Sequence, residues 1–251
     1  MKEIMLDVLE TPILHEPILI EGLPGVGNVG KIAAEHLIDE LKAKKFAVMH
    51  SKFFPPQVLV SDEGVIRMVS NDFYYYKHKK QDLLFLAGDY QGLTPEGQYE
   101  LAFAVLEVAK QYGVKRIFTL GGYGIGKMVK EPRVLGAATS PQIVEEMKAL
   151  GVVFKKGEPG SGIVGASGLL LGLGMLQGME GVCLMGETSG YFVDPKSAQC
   201  VLSVLTKILD VQVDFSKLEN KAEQVDKLTT QIKEIENPHA DSHLDDLRYI
   251  G

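Results

Sequence analysis

Apolar runs of strand length alternate with longer segments of helical period from residue 18 to residue 209, and this alternation is the strongest constraint the chain carries. The strand-length runs are residues 18–20, 46–49, 57–60, 65–69, 83–87, 116–120, 152–154 and 182–185. Helical segments follow several of them. Residues 29–44 set Ile32, Ala33, Leu37 and Leu41 on one face, and residues 95–112 do the same with Leu101, Val105 and Val108. Residues 141–150 and 195–209 each open with a cap followed by proline, Ser140-Pro141 and Asp194-Pro195. Residues 57–69, around Asp62-Glu63-Gly64, predict a β-hairpin. The pattern predicts an α/β fold with a mostly parallel sheet and helices on both faces.

No linker-like composition or internal repeat divides the first part of the chain, so residues 1–213 read as one domain within the 251. From residue 214 the character changes. Leu218, Ala222, Val225, Leu228, Ile232 and Ile235 recur at helical spacing among charged residues, which predicts an amphipathic helix over 214–237, stopped by Asn237-Pro238. An acidic tail, 238–251, ends in Leu247-Arg248-Tyr249-Ile250-Gly251. A formal net charge of −7 argues against nucleic acid or an anionic membrane as partner. Cys183 and Cys200 form no metal spacing and read as reduced thiols of a cytoplasmic protein. No secretory signal is legible at the start. The apolar stretch 163–176, with Gly165, Gly168, Gly172 and Gly174, is shorter than the ~20 residues a spanning helix needs and reads as a buried element.

Directly after the first strand comes GLPGVGNVGK, residues 22–31. Gly25, Gly27 and Gly30 fit a dinucleotide fingerprint, and residues 25–31 fit most of a phosphate-binding loop. The phosphate loop requires a hydroxyl after Gly-Lys to hold magnesium, and that position is Ile32. The dinucleotide motif requires a carboxylate at the end of the next strand, and that strand ends in Met49-His50-Ser51-Lys52. A tight strand-to-helix turn that exploits glycine is the better reading.

The six histidines show no metal spacing, and neither Gly165–Leu169 nor Gly186–Gly190 completes a nucleophile elbow. Asp89, Tyr123 and Glu187 follow or close strands and form a candidate pocket, since ligands of open α/β sheets gather at strand ends. No partnered base marks it as catalytic. Tyr74-Tyr75-Tyr76, with Lys77, Lys79 and Lys80, reads as a protein-contact or packing patch.

GLPGVGNVGKIAAEHL (22–37), FPPQV (54–58), GGYG (121–124) and GETSGYFVDPKSA (186–198), in this order and spacing, resemble the proteasome assembly chaperone family, most closely its archaeal members. The resemblance covers essentially the whole chain. It implies a fold related to nucleoside phosphorylases used without catalysis or cofactor, homo-oligomeric self-association, and binding to proteasome α-subunits during 20S core assembly. It also implies docking through a C-terminal tail ending in a hydrophobic residue, a tyrosine and one last residue, inserted between α-subunits where a lysine receives the carboxylate. Leu247, Tyr249, Ile250 and Gly251 are the matching positions, with Tyr249 third from the end rather than penultimate. The alternative for the tail is a clasp folded back on the body.

The reading is therefore a non-enzymatic cytoplasmic assembly factor, with no nucleic acid and no membrane among its partners. The rival is an enzyme or ligand-binding protein using a pocket near Asp89, Tyr123 and Glu187. A nucleotide-dependent switch at residues 25–31 ranks last.

Overall fold

The structure is a computed structural model that describes residues 3–154, 157 and 162–236. An eight-stranded sheet runs β1 (Ile4–Val8), β3 (Lys44–Ser51), β6 (Asn71–Tyr76), β7 (Leu83–Gly88), β2 (Ile18–Gly22), β8 (Arg116–Gly124), β10 (Glu180–Thr188) and β9 (Val134–Ala138). The four strands β7, β2, β8 and β10 are mutually parallel. On one side β6, β3 and β1 add antiparallel pairings, and on the other β9 adds one more. Because β3 is antiparallel to β6, which is antiparallel to β7, five of the eight strands point the same way. A separate two-stranded hairpin pairs β4 (Val58–Val60) with β5 (Ile66–Met68) around Gly64, whose φ is 79°.

Helices cover both faces. Helices α1 (Val29–Leu41), α3 (Pro141–Lys148) and α5 (Pro195–Leu209) bury Leu37, Met147 and Leu205 against Ile18, Ile20 and Phe118. Helices α2 (Pro95–Gln111) and α4 (Ala166–Leu176) bury Leu106 and Leu170 against Leu19, Leu84 and Leu86. The parallel strands alternate between these two cores, so β2 is buried along its whole length. The proline-opened helices are capped by side chains: Thr94 accepts from Gly97 N at 3.0 Å, Ser140 from Ile143 N at 3.4 Å and Asp194 from Ser197 N at 2.9 Å.

Several expectations shift. Helix α1 stops at Leu41, short of residue 44, because Lys42 takes a left-handed cap (φ 53°) and Ala43 N donates back to Ile38 O at 2.9 Å. A lysine in that conformation leaves no glycine to mark the stop. Residues 152–154 make no strand of their own; Val153 only bridges Leu135 at the outer side of β9. Strands β1, β6 and β9 occupy stretches the apolar pattern leaves unassigned. Helix α4 is buried through Ala166, Leu170, Leu171 and Gly174, while Met175 and Leu176 face outward. The tyrosine cluster is strand β6, half-buried, with Tyr74 and Tyr76 packing on one core and Tyr75 on the other.

Helix α6 (Ser216–Glu236) follows the body. Leu218 is fully buried, Ala222 and Val225 are half-buried, and Leu228 is exposed, so cover along the apolar stripe decreases outward. No helix among the described residues is long and apolar enough to cross a membrane.

Helix α1 can lie so close to the sheet only because Gly30 has no side chain. A Cβ there would sit 2.0 Å from Leu120 O in β8. Gly172, exposed on α4, has nothing within 4 Å of its Cβ position. Gly30→Ala is therefore expected to cost about 3 kcal/mol or more, whereas Gly172→Ala gains up to about 1 kcal/mol from helix propensity. Thermal or denaturant unfolding of the two variants checks the pair, and equal effects would contradict the packing account.

Candidate functional site

The signature segments converge at the ends of the parallel strands. Strand β2 ends at Gly22, and the chain turns through Leu23–Asn28 into α1. Gly25 is extended (φ −160°), Gly27 is left-handed (φ 61°) and so is Asn28 (φ 51°). The glycines serve packing. A Cβ on Gly27 would lie 2.9 Å from Thr188 Oγ1 in β10, one on Gly22 would lie 2.4 Å from Ala34 Cβ, and one on Gly122 would lie 2.2 Å from Val26 O. The loop is also tied down by polar contacts on all sides. Asp194 N donates to Gly27 O at 2.9 Å, Lys31 Nζ donates to Gly88 O at 2.7 Å, and Gln91 Nε2 donates to Pro24 O at 2.7 Å. Lys31 is further paired with Glu35 at 2.6 Å. Ile32, standing where a phosphate loop needs its magnesium hydroxyl, packs half-buried on the core. The loop is an anchored strand-to-helix turn, and its lysine is engaged by the protein itself.

Beneath it lies a residue that sequence reasoning did not single out. Glu21, on β2, is 0% exposed. It accepts from Leu23 N and from Ser167 Oγ, both at 3.0 Å, and so links the start of the glycine turn to the start of α4. Gln91 reinforces that link by accepting from Ala166 N at 2.9 Å. Burial pushes the Glu21 carboxyl up to about 7 against the pull of these two hydrogen bonds. Within an apolar strand, one carboxylate carries no periodic signal that would expose this role.

Of the three candidate pocket residues, the structure brings two together. Tyr123 and Glu187 are backbone partners across β8 and β10 and line one groove of about 630 Å³. Asp89 lies past the end of β7, beyond β2 from these strands, and lines a different groove of about 800 Å³ with Lys31, Arg67 and Asp72. Both carboxylates are held by arginines. Arg67 forks onto Asp89 at 2.6 and 2.8 Å, and Ser70 N adds a donor at 3.0 Å. Burial alone would raise the Asp89 carboxyl, but these donors outweigh it and hold it below the usual range. Arg133 donates to Glu187 from its backbone N at 3.0 Å, from Nε at 2.9 Å and from its far guanidinium nitrogen. These bonds hold Glu187 below the ordinary carboxylate range despite its burial. A carboxylate neutralised in this way is a poor proton acceptor, so the geometry suits a structural clamp more than a general base.

Among the described residues no group of three or more His, Cys, Asp or Glu side chains is placed to hold a metal ion. Cys183 and Cys200 are free, and burial pushes the Cys183 thiol up to about 12. Leu247, Tyr249, Ile250 and Gly251 lie outside the described residues.

The PAC2 family model matches residues 19–233. The chain belongs to the PAC2 family. Among its relatives, MJ1210, an uncharacterized protein of Methanocaldococcus jannaschii, is 40% identical over 244 residues, which cover 95% of this chain and 93% of that protein. The crystal structure of PbaB from Pyrococcus furiosus, an archaeal proteasome activator, is 42% identical and superposes with a TM-score of 0.88 over 93% of this chain and 100% of that one. PbaA from the same organism, an archaeal homolog of proteasome-assembly chaperone, is 30% identical with a TM-score of 0.77 over 94% of each chain. The archaeal chaperone resemblance of the signature segments is thus matched across nearly the full chain.

The Glu21 site generates a pH prediction. Its folded pKa lies above the unfolded value of 4.5, so its contribution is fully present below about pH 4.5 and lost as pH rises through about 7. The loss amounts to about 3 kcal/mol. Glu21→Gln retains an acceptor for Leu23 N and removes the titration, so its melting temperature should fall less than wild type between pH 5 and 8. Parallel profiles would show that Glu21 does not titrate in this way.

Proposed function

We propose that this PAC2-family chain is a non-enzymatic factor that engages the 20S proteasome through its α-subunits, in assembly or in activation of the core. The observation that carries the reading is the full-length likeness to PbaB, at 42% identity and a TM-score of 0.88. The geometry supports it from the other side. The nucleotide-like loop is closely packed at Gly22, Gly27 and Gly30, and both strand-end carboxylates are neutralised by arginines. What remains available at this end of the molecule is exposed surface and two open grooves.

On this reading the body, 1–213, carries helix α6, Ser216–Glu236, within the 214–237 segment, and a docking tail, 238–251. Leu247, Tyr249 and Ile250 supply apolar anchors and the Gly251 carboxylate pairs with a basic residue of an α-subunit. Ordering five residues costs about 1–2 kcal/mol each, so one tail binds weakly and several tails on a homo-oligomer gain by avidity. The exposed Leu228 on α6, continuing the stripe that starts at buried Leu218, favours such self-association. The chain acts in the cytoplasm.

Deletion of residues 247–251 is expected to weaken binding to recombinant archaeal α-rings at least tenfold, at unchanged melting temperature, in a surface plasmon resonance titration. Undiminished binding would remove the docking role, and a lowered melting temperature would identify the tail as a clasp. No magnesium-dependent ATP or GTP hydrolysis is expected; turnover abolished by Lys31→Ala would refute the structural reading of the glycine loop.

A further inference from the structure

Three consecutive large apolar residues, Tyr191, Phe192 and Val193, stand exposed in the connection between β10 and α5. Tyr191 is 72% exposed, although residues of this kind usually bury much of their surface. The connection is held at both ends. Ile125 N donates to Thr188 O at 2.9 Å before it, Gly190 takes φ 82°, and Asp194 N donates to Gly27 O after it. Val26, exposed in the glycine turn, joins the same surface, since its Cγ1 lies 3.5 Å from where a Cβ on Gly190 would sit. Tyr191 Oη lies 3.9 Å from the Cβ position of Gly126, which places the 125–133 connection alongside. There the groove of about 630 Å³ opens, lined by Tyr123, Ile125 and Val129 and by Lys127 and Arg133.

The charge at this surface is mostly cationic, with Lys127, Lys130 and Arg133 of the 125–133 connection set against one exposed carboxylate, Glu131. Glu187 is consumed by Arg133, and Asp194 caps α5. Lys127 and Lys130 are exposed and Lys196, three residues after Val193, is half-exposed. None of these three lysines makes an ion pair among the described residues. A cationic rim on a chain of net charge −7 therefore borders an apolar cluster on a backbone already fixed in place.

We infer that Val26, Tyr191, Phe192 and Val193, with Lys127 at the adjoining groove, form a second docking surface, separate from the tail, for an acidic segment of the partner bearing apolar side chains. The apolar residues anchor the segment and the lysines meet its carboxylates. A pinned loop loses little conformational freedom on binding, which makes such anchors effective. The exposed lysines act mainly on encounter and on salt dependence. The inference rests on the proteasome-binding reading, with an α-subunit supplying the acidic segment.

The test uses the full-length chain and recombinant archaeal α-rings, titrated at low and moderate salt. Tyr191→Ala and Phe192→Ala together should weaken binding at least tenfold at unchanged melting temperature, because both side chains are exposed. Lys127→Glu should weaken it several-fold at low salt and flatten the salt dependence. The same losses should appear as residual binding disappears in a chain lacking residues 247–251. Binding of the double and Lys127 variants within twofold of wild type, while wild type itself binds, would overturn the inference and leave the proteasome reading standing. Absence of binding by wild type at up to a hundred micromolar, an order-of-magnitude bound for multivalent docking, would overturn both.

Discussion

The fold depends on a contact between backbones. Gly22, Gly30 and Gly122 let the β2–α1 turn and the first turn of α1 settle directly on β8, at distances where any Cβ would collide with Leu120 O, Gly30 O or Val26 O. That approach fixes the height of α1 above the sheet, and with it the packing of Leu37, Ile20 and Phe118 in one core. It also decides the chemistry at this end. A glycine-rich turn wraps a phosphate with free backbone N–H groups, but here Gly22, Gly27 and Gly30 are taken up by packing, and the N–H groups of Leu23 and Asn28 are given to Glu21 and Gly25 O.

Three carboxylates surround that contact, and each is held differently. Glu21, in the centre, is kept largely neutral by burial at moderately acid pH and joins β2 to α4. Asp89 and Glu187, toward the two sides, stay ionised because an arginine faces each. Together they tie the strand ends to the hairpin, to the 125–133 connection and to α4. A strand-end surface held so firmly suits recognition of another protein, where preorganisation adds affinity, better than a reaction requiring a free base.

The sequence and the structure agree where burial is two-sided. Strands β2, β7, β8 and β10 read as continuous apolar runs because helices cover both of their faces, α3 and α5 announce themselves by a capping residue and proline, and α2 by its apolar period. The flanking antiparallel strands were less legible for the converse reason. Strand β1 is half-exposed along Ile4–Val8, β6 is a tyrosine run whose rings divide between the two cores, and β9 is made partly of small residues. The 152–154 run mimicked a strand because Val152 is buried beside β9 without joining the ladder. Asp89, Tyr123 and Glu187 share a sequence context, a strand end, but strand order separates Asp89 from the other two, and order is not visible in a linear pattern. Tyr191–Val193 lay inside a signature segment in full view; their exposure, which gives them meaning, is a property of the fold alone.

The strand-end edge of this PAC2-family body is exposed, apolar, locally cationic and hydrogen-bonded at both ends of its Tyr191–Val193 loop. The most direct measurement is electron microscopy of the full-length chain mixed with an archaeal 20S core particle. The account predicts added density capping the outer face of the α-rings, with the Tyr191–Val193 edge of the body turned toward the ring. Bare α-ring faces at saturating chain, or density confined to the β-rings, would contradict it.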